Sequence, residues 1–301
     1  MALSPSSPFP RLPLGEVVEE IVHWISNNLG WFLDAVTGFL TALMGAIHGI
    51  LSEIPPPVLI IVIAAIALVL KLRTNPKRRP VHKQIYSSLD LSVLCILGLL
   101  LIWDMGLWAH SIETLGLVIV STFVSLAIGI PVGIIASYSD RFNQIARIFL
   151  DFMQTMPSFV YLIPAVIFFG LGNVPGIIAT VVFAMPPTIR LTNLGIRQLP
   201  KELIEVSEAF GATPAQKLIK VELPVALPTI MAGVNQCIML ALSMTVIASM
   251  IGAGGLGYQV LYGIQRVDIG AGFEAGLAIV IIAIILDRLS QNLIPVRERV
   301  N

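Results

Sequence analysis

Residues 223–265 read LPVALPTIMAGVNQCIMLALSMTVIASMIGAGGLGYQVLYGIQ and contain no Asp, Glu, Lys or Arg. A helix that crosses the hydrocarbon core of a bilayer needs roughly 20 consecutive, mostly apolar residues. The stretch is long enough for one such span, and its character changes at the glycine-rich run 252–257, which favours an irregular segment. The sequence therefore predicts a membrane-spanning helix before that run.

The whole chain has the composition of a membrane protein. Hydrophobic residues make up 56% of it, charged residues only 12%, and the mean hydropathy is +0.90, which lies outside the usual range of soluble domains. Lys plus Arg equals Asp plus Glu at 18 each, so the chain has no basic surplus with which to neutralise phosphates. We expect the lipid bilayer as a partner and no nucleic acid.

Five further uncharged stretches are candidate spans. They are residues 54–70, 91–103, 114–139, 152–189 and 275–286. Glycine and proline cluster within 170–176, which favours a turn and divides 152–189 into two helices. The pattern predicts an all-α polytopic membrane protein with about seven transmembrane helices.

Basic residues indicate the orientation of these spans. Lys and Arg gather in four segments: residues 71–83, 141–147, 190–220 and 297–299. With seven spans all four segments fall on one side, and basic residues are retained on the cytoplasmic side. We therefore expect a multi-pass protein of the cytoplasmic (inner) membrane with its N-terminus outside and its C-terminus in the cytoplasm.

The first 53 residues differ from the spans. Residues 1–13 are rich in Pro and Ser and predict a disordered tail. From there to residue 53, polar residues recur at helical spacing opposite large apolar ones, which is typical of one or two amphipathic helices in the membrane interface. An eighth span over 30–51 is the alternative; Asp34 and His48 would make it costly.

The remaining organisation follows from these boundaries. Residues 54–110 hold the first two spans, residues 111–293 form the main transmembrane core, and residues 294–301 are a cytoplasmic tail. Cys95 and Cys237 lie in apolar runs without CxxC spacing and are predicted to pack in the core, so we expect no metal site. The four histidines are scattered and the acids beside the spans are unpaired, so we expect no catalytic residues.

Residues 199–224 read LPKELIEVSEAFGATPAQKLIKVELP and lie in the third basic segment. The pattern predicts a short amphipathic helix that stops at Gly211. A second short helix follows, capped by Thr213 with Pro214 in its first turn. Two short helices with a tight bend would form a protruding knob, although an ordinary solvated loop is the alternative.

This loop resembles the cytoplasmic docking loop of ABC importer permeases. That family's pattern is Glu-Ala-Ala, three residues, Gly, nine residues, then Ile, any residue, Leu-Pro. Glu205, Gly211, Leu223 and Pro224 match it at the same spacing. The two alanines are replaced by Val206 and Ser207, and the isoleucine by Val221. The resemblance implies that an ATPase contacts Glu205, Ser207, Glu208, Ala209, Phe210, Gly211, Ala212, Thr213 and Pro214.

The likeness extends over about 114–289 and narrows to the glycine betaine and proline betaine permeases. Residues 151–164, 186–197 and 247–257 are similar to phrases of that family. This implies the type I ABC importer transmembrane fold and a permease subunit for glycine betaine or a related quaternary amine. Choline, carnitine or proline as substrate, or an ion-coupled secondary transporter, are the alternatives.

The same resemblance implies the partners. They are a second copy of this chain, two ABC ATPase subunits and an extracytoplasmic substrate-binding protein. We expect no cofactor in this chain, with ATP and Mg bound by the ATPase subunit.

Two further groups of residues are candidates for function. Aromatic rings can hold quaternary ammonium groups, and Pro131, Pro157 and Pro164 are expected to interrupt helices that could line a path, with ordinary packing as the alternative. The candidate translocation path comprises Met156, Phe159, Tyr161, Pro164 and Met244. The candidate outer loop facing the binding protein comprises Gly252, Gly254, Gly255, Gly257 and Tyr258. Glycine pairs at 129 and 133, 172 and 176, and 272 and 276 would allow helices to approach closely.

Overall fold

A computed structural model describes residues 14–74 and 81–293 of the chain. These residues form twelve α-helices: α1 (Leu14–Glu53), α2 (Pro56–Thr74), α3 (Val81–Asp104), α4 (Trp108–Tyr138), α5 (Asp140–Thr155), α6 (Leu162–Phe169), α7 (Asn173–Arg197), α8 (Lys201–Ala209), α9 (Pro214–Lys217), α10 (Leu223–Ala248), α11 (Leu256–Arg266) and α12 (Ile269–Gln291). The predicted N-terminal tail, part of the first basic segment and the C-terminal tail fall in 1–13, 75–80 and 294–301, outside the described residues.

Helices α4, α7 and α10 form the centre of the bundle because glycines let their backbones approach closely. A Cβ atom placed on Gly133 of α4 would lie 2.6 Å from Cβ of Thr192 on α7. One placed on Gly233 of α10 would lie 3.2 Å from the carbonyl oxygen of Pro187, also on α7. Close packing of small residues is how helices associate in lipid. The predicted approach at residues 129 and 133 is thus confirmed.

A second layer of helices, α2, α3 and α12, packs beside this centre. Cys95 of α3 and Cys237 of α10 both lie in the apolar cluster between the layers and are 0% exposed, which confirms their predicted packing role. The hydroxyl of Ser92 donates to the carbonyl of Ala64 at 3.1 Å and joins α3 to α2. Such a bond satisfies a buried hydroxyl where water is absent.

The predicted amphipathic N-terminal region is one continuous helix, α1, of 40 residues. Leu40 and Met44 are buried in a cluster with residues of α4, α7 and the glycine run, whereas Trp24 and Trp31 are exposed. Its part Glu19–Glu53 is long and apolar enough to cross a membrane. The length and composition of α1 therefore agree with the alternative of an eighth span. That α1 lies in the membrane interface stays a prediction.

The predicted break within 152–189 is confirmed. Helix α6 ends at Phe169 and α7 begins at Asn173. Gly170 and Gly172 between them have φ of +76° and +120°, values that residues with a side chain rarely adopt.

A second break in this stretch lies at Pro157, one of the prolines expected to interrupt a helix. Pro157 has no N–H and disfavours helical geometry at Met156, which is extended with ψ of 136°. A 3₁₀ turn, Ser158–Tyr161, follows, and the axis bends by 108° between α5 and the segment that ends with α6. The predicted single helix after residue 152 is therefore the end of α5, a turn and the eight-residue α6.

Every stretch predicted to span is helical, and the all-α polytopic fold is confirmed. Within the described residues, five helices are long and apolar enough to cross a membrane, or six if the bent pair is one span. This set includes α1, whereas the apolar run Pro56–Leu72 of α2 is shorter. The number of crossings stays a prediction.

The bundle has two ends that matter for function. The loop end holds residues 199–224, which connect α7 to α10, together with Tyr138, the last residue of α4. The far end holds the first residues of α4 and α7 and the glycine run 252–257.

Candidate functional site

Residues 199–224 fold into the predicted bend, and we call them the docking loop. Gly211 follows α8 in the left-handed conformation, with φ of +73°. Its N–H donates to the carbonyl of Glu208 at 2.9 Å, and the N–H of Ala212 donates to the carbonyl of Ser207 at 3.0 Å. This pair of bonds is the Schellman motif that closes a helix end. The predicted stop at Gly211 is confirmed.

The predicted cap at Thr213 is confirmed as well. Its hydroxyl accepts from the N–H of Gln216 at 3.3 Å, and the Gln216 side chain accepts from the N–H of Thr213 at 3.0 Å. Pro214 occupies the first turn, where its missing N–H costs nothing. The two reciprocal bonds form a capping box, which fixes the start of α9.

The second helix of the docking loop does not end as predicted. After α9 the chain passes through a π turn, Leu218–Glu222, directly into α10. The N–H of Leu223 donates to the carbonyl of Leu218, five positions earlier, and the next residue, Pro224, has no N–H to offer. Without such a widened turn next to the proline, the helix would break; with it, the helix stays continuous. One helical run therefore extends over Pro214–Ile251.

The docking loop presents an apolar side chain at its tip. Phe210 is 88% exposed, beside the exposed Glu208 and Gly211. Lys217 and Glu208 form an ion pair at 2.8 Å across the bend, but the Glu208 side chain is 57% exposed, so the pair stabilises the loop by about 1 kcal/mol or less. An exposed aromatic on a loop held by local caps is typical of a protein contact surface.

The other residues predicted to contact an ATPase divide into two groups. Glu205, Ala209, Thr213 and Pro214 are exposed and Ala212 is half-buried. Ser207 is buried, and its hydroxyl donates to the carbonyl of Ile204 at 2.7 Å. Ser207 therefore supports α8 from the inside instead of forming part of its outer surface.

A buried acid lies at the base of the docking loop. Glu222, in the π turn, is 3% exposed, and its Oε2 accepts a hydrogen bond from the hydroxyl of Tyr138 on α4. The bond joins the loop to the central bundle. Sequence reasoning missed this pair because the two residues lie 84 positions apart and Glu222 occupies the unspecified position of the docking-loop pattern.

The predicted path residues do not share one surface. Tyr161 and Met244 are buried together in an apolar cluster that Met156 borders, and Met244 is 0% exposed. Phe159 and Pro164 are exposed. In this conformation Met244 is a core residue, and a path along these five positions stays a prediction.

The glycine run at the far end is held by side chains of other helices. The N–H of Gly255 donates to Oε2 of Glu113 at 2.8 Å, and the N–H of Gly254 donates to Oδ1 of Asn173 at 2.9 Å. The N–H of Leu256 donates to the hydroxyl of Thr114 at 2.8 Å. These groups replace the local cap that α11 lacks, since Gly255 has no side chain to supply one.

This network changes how the glycine run is interpreted. A Cβ atom on Gly255 would lie 2.5 Å from Oγ1 of Thr114, and one on Gly254 would overlap the Glu113 carboxylate. Gly257 is buried, and only Gly252 and Tyr258 of the five predicted residues are exposed. Close packing therefore explains most of these glycines, and contact with a binding protein stays a prediction.

Replacing Glu113 by Ala is expected to destabilise the far end. The substitution leaves the buried N–H of Gly255 and the amide of Asn173 without their acceptor, and each such loss costs about 1–3 kcal/mol. We expect the thermal midpoint of the purified protein to fall by roughly 5–10 °C. Glu274→Ala is the control, because Glu274 is exposed on α12 and should have little effect. Equal midpoints for both variants would contradict the role of Glu113.

Comparison with known proteins gives consistent similarities. Residues 129–297 match the family model described as "binding-protein-dependent transport system inner membrane component". The chain is 46% identical over 284 residues to the glycine betaine transport system permease protein of Bacillus subtilis (strain 168), covering 94% of this chain and 95% of that protein. It is 48% identical over 282 residues to the glycine betaine/carnitine transport permease protein of Listeria monocytogenes serotype 1/2a (strain 10403S), with the same coverages.

Among solved structures, an inward-facing form of the MetNI methionine ABC transporter is similar with a TM-score of 0.55 and 23% identity. The similarity covers 68% of this chain and 96% of the other. At that identity the likeness concerns the fold alone, and it agrees with the expected type I ABC importer transmembrane fold.

Proposed function

Because the chain belongs to the family of binding-protein-dependent transport system inner membrane components, we propose that it imports glycine betaine or a related quaternary amine. It is a multi-pass membrane permease subunit, and ATP hydrolysis in a separate subunit would drive the transport. The observation that carries the proposal is the docking loop, whose Schellman motif and capping box leave Phe210 exposed, as contact with an ATPase would require.

The substrate assignment rests on chemistry that the relatives share. Both relatives have glycine betaine in their names, and one also has carnitine. These solutes combine a quaternary ammonium group with a carboxylate. Carnitine is therefore the first alternative substrate, followed by choline and proline.

The partners follow from the same assignment. Two copies of the chain would pair around a path, two ATPase subunits would hold the two docking loops, and a substrate-binding protein would meet the far end. ATP and Mg would be bound by the ATPases. With the docking loops in the cytoplasm, the far end faces outward and the C-terminus inward; an odd number of crossings puts the N-terminus outside.

The mechanism transmits closure of the ATPases through the docking loops. ATP binding would draw the two loops together, and the continuous run Pro214–Ile251 would carry that motion from the loop end to the far end. The cavity would then open outward to a loaded binding protein, and hydrolysis would reset it.

Uptake of labelled glycine betaine tests the proposal. The measurement uses cells that lack osmolyte transport and carry this chain with its ATPase and binding protein, with excess choline or carnitine as competitor. We expect uptake that stops on ATP depletion and persists when ionophores remove ion gradients. Uptake that follows the ion gradient would support a secondary transporter and overturn the proposal. Absence of uptake in an assembled complex would overturn the substrate assignment.

A further inference from the structure

A cavity of about 480 Å³ lies between α5 and α7, beside Ala136 of α4, near the loop end. This volume is within the range of sites that bind small molecules. Apolar side chains such as Leu150 and Ile189 form part of its wall. Its polar wall consists of Asn143, Arg147, Asp151, Arg190, Asn193 and Arg197.

The charges in this cavity differ in how fully they are paired. Arg197 uses all three of its guanidinium nitrogens: it forms an ion pair with Asp140 at 2.6 Å and also bonds to Asn193 and to the carbonyl of Ala136. Arg190 forms one ion pair, with Asp151 at 2.6 Å, and its Nε has no partner among the described residues. Within that part of the chain Arg147 forms no ion pair. The cavity wall therefore holds an incompletely bonded guanidinium beside a carboxylate.

The Arg190–Asp151 pair involves a helix that is long and apolar enough to span a membrane. Arg190 is seven positions before the end of α7, or about 10 Å along its axis. Charged groups at such positions are costly and usually mark a ligand pathway. The side chains of Arg190 and Asp151 are 41% and 58% exposed, so a solute in the cavity can reach both.

We propose that this cavity is a transit site for a zwitterionic solute, in which Arg190 binds the carboxylate and Asp151 faces the quaternary ammonium group. The inference rests on the proposed import of quaternary amines and adds the position of the site. A guanidinium presents two parallel donors to a carboxylate. When the solute binds, the ion pair between Arg190 and Asp151 is replaced by two ion pairs, one from each of these residues to the solute. Neither protein charge is therefore left unpaired. Its methyl groups lie against the apolar part of the wall.

An anionic lipid headgroup is the competing occupant. The outer face of α5 exposes Ile148, Phe149 and Phe152, which would suit acyl chains, and the arginines would attract a phosphate. Asp151 argues against it, because a carboxylate in the wall repels a purely anionic group. The adjacent opposite charges match a zwitterion better.

Protection of an introduced cysteine tests the site directly. Ala146 lines the cavity and is half-buried, so Ala146→Cys places a thiol there, while Cys95 and Cys237 are 0% exposed and should react slowly. The permease–ATPase complex in nanodiscs is treated with a water-soluble thiol reagent. Three probes are compared: glycine betaine, its anionic isostere 3,3-dimethylbutyrate, which lacks the ammonium charge, and choline, which lacks the carboxylate.

We expect glycine betaine to slow modification of the introduced thiol roughly tenfold more than either single-charge probe, because each of those leaves one protein charge unpaired. Equal protection by 3,3-dimethylbutyrate would show a general anion site and overturn the proposal. Protection that depends on phosphatidylglycerol in the nanodisc, with none from glycine betaine, would assign the cavity to lipid. Absence of protection by all three probes would also overturn the proposal.

Arg190→Gln extends the test to transport. We expect it to remove protection by glycine betaine and to lower uptake about tenfold or more. Arg141→Gln is the matched control, since Arg141 lies on α5, is exposed and does not line the cavity. Arg190→Gln could fail to assemble with the ATPase. In that case the proposal is tested by the protection measured in the Ala146→Cys variant, because that variant keeps the ion pair. In the Ala146→Cys permease, normal uptake without protection would reject this site alone, whereas absence of uptake by the unmodified, assembled complex would overturn the proposed substrate.

Discussion

Replacing Gly211 by Asp is expected to abolish energy-coupled uptake while the permease stays folded in the membrane. Among the described residues no heavy atom lies within 4 Å of a Cβ atom at Gly211, so the new side chain has room. Its φ of +73° is a conformation that Asp tolerates at a cost of roughly 1–2 kcal/mol. The carboxylate would lie beside Phe210, where the proposed ATPase contact would bury it without a partner. An unpaired buried charge costs about 3–5 kcal/mol, enough to weaken docking a hundredfold or more.

Gly106→Asp provides a matched control for this substitution. Gly106 has φ of +71° and lies at the far end between α3 and α4, and no heavy atom of residues 14–74 or 81–293 comes within 4 Å of a Cβ atom there. The measurements are uptake, membrane insertion and copurification with the ATPase. We expect Gly106→Asp to resemble the unmodified protein. Equal loss in both variants would point to backbone strain, and normal uptake by Gly211→Asp would refute the docking assignment.

Replacing Gly133 by Leu is expected to prevent stable folding of the bundle. A Cβ atom there would lie 2.6 Å from Cβ of Thr192 and 2.8 Å from the carbonyl oxygen of Ile189. Because one of these neighbours is backbone, α4 and α7 would have to separate along the centre of the protein. Overpacking of this kind costs about 1–3 kcal/mol, and more where the backbone must move. We expect a thermal midpoint at least roughly 10 °C lower, or loss of folded protein.

Gly276→Leu is the control for Gly133→Leu. Both glycines lie inside long apolar helices, but in the described part of the chain no heavy atom lies within 4 Å of a Cβ atom at Gly276. We expect the midpoint of Gly276→Leu to stay within a few degrees of the unmodified protein. Thermal unfolding of the detergent-solubilised protein measures both. Similar losses would mean that leucine is disfavoured for a reason other than contact between α4 and α7.

Sequence reasoning succeeded where the determining interactions are local. The stop at Gly211 and the cap at Thr213 depend on residues within a few positions, and both follow from the side chains present. The break at residue 170 likewise follows from adjacent glycines. The uncharged stretches located the helices because lipid imposes one composition on every span.

Sequence reasoning failed where two interacting residues lie far apart along the chain. Glu113 precedes the uncharged stretch 114–139, and nothing near it indicates that it accepts from Gly255, 142 positions away. The ion pair of Asp151 with Arg190 similarly depends on the packing of α5 against α7. Proline alone did not show where a helix breaks: of the prolines expected to interrupt helices, Pro157 marks a sharp bend, whereas Pro131 lies inside the continuous helix α4.

The continuous run Pro214–Ile251 has a consequence for how the chain can vary in length. Its 38 residues would extend about 57 Å as a regular helix, and each residue advances the helix by about 100°. Inserting or deleting one residue between Leu223 and Ile251 would rotate the docking loop away from the proposed ATPase contact and would separate Glu222 from Tyr138. We therefore expect the exposed positions between Gly211 and Gly252 to accept substitutions, but the interval to accept no change in length.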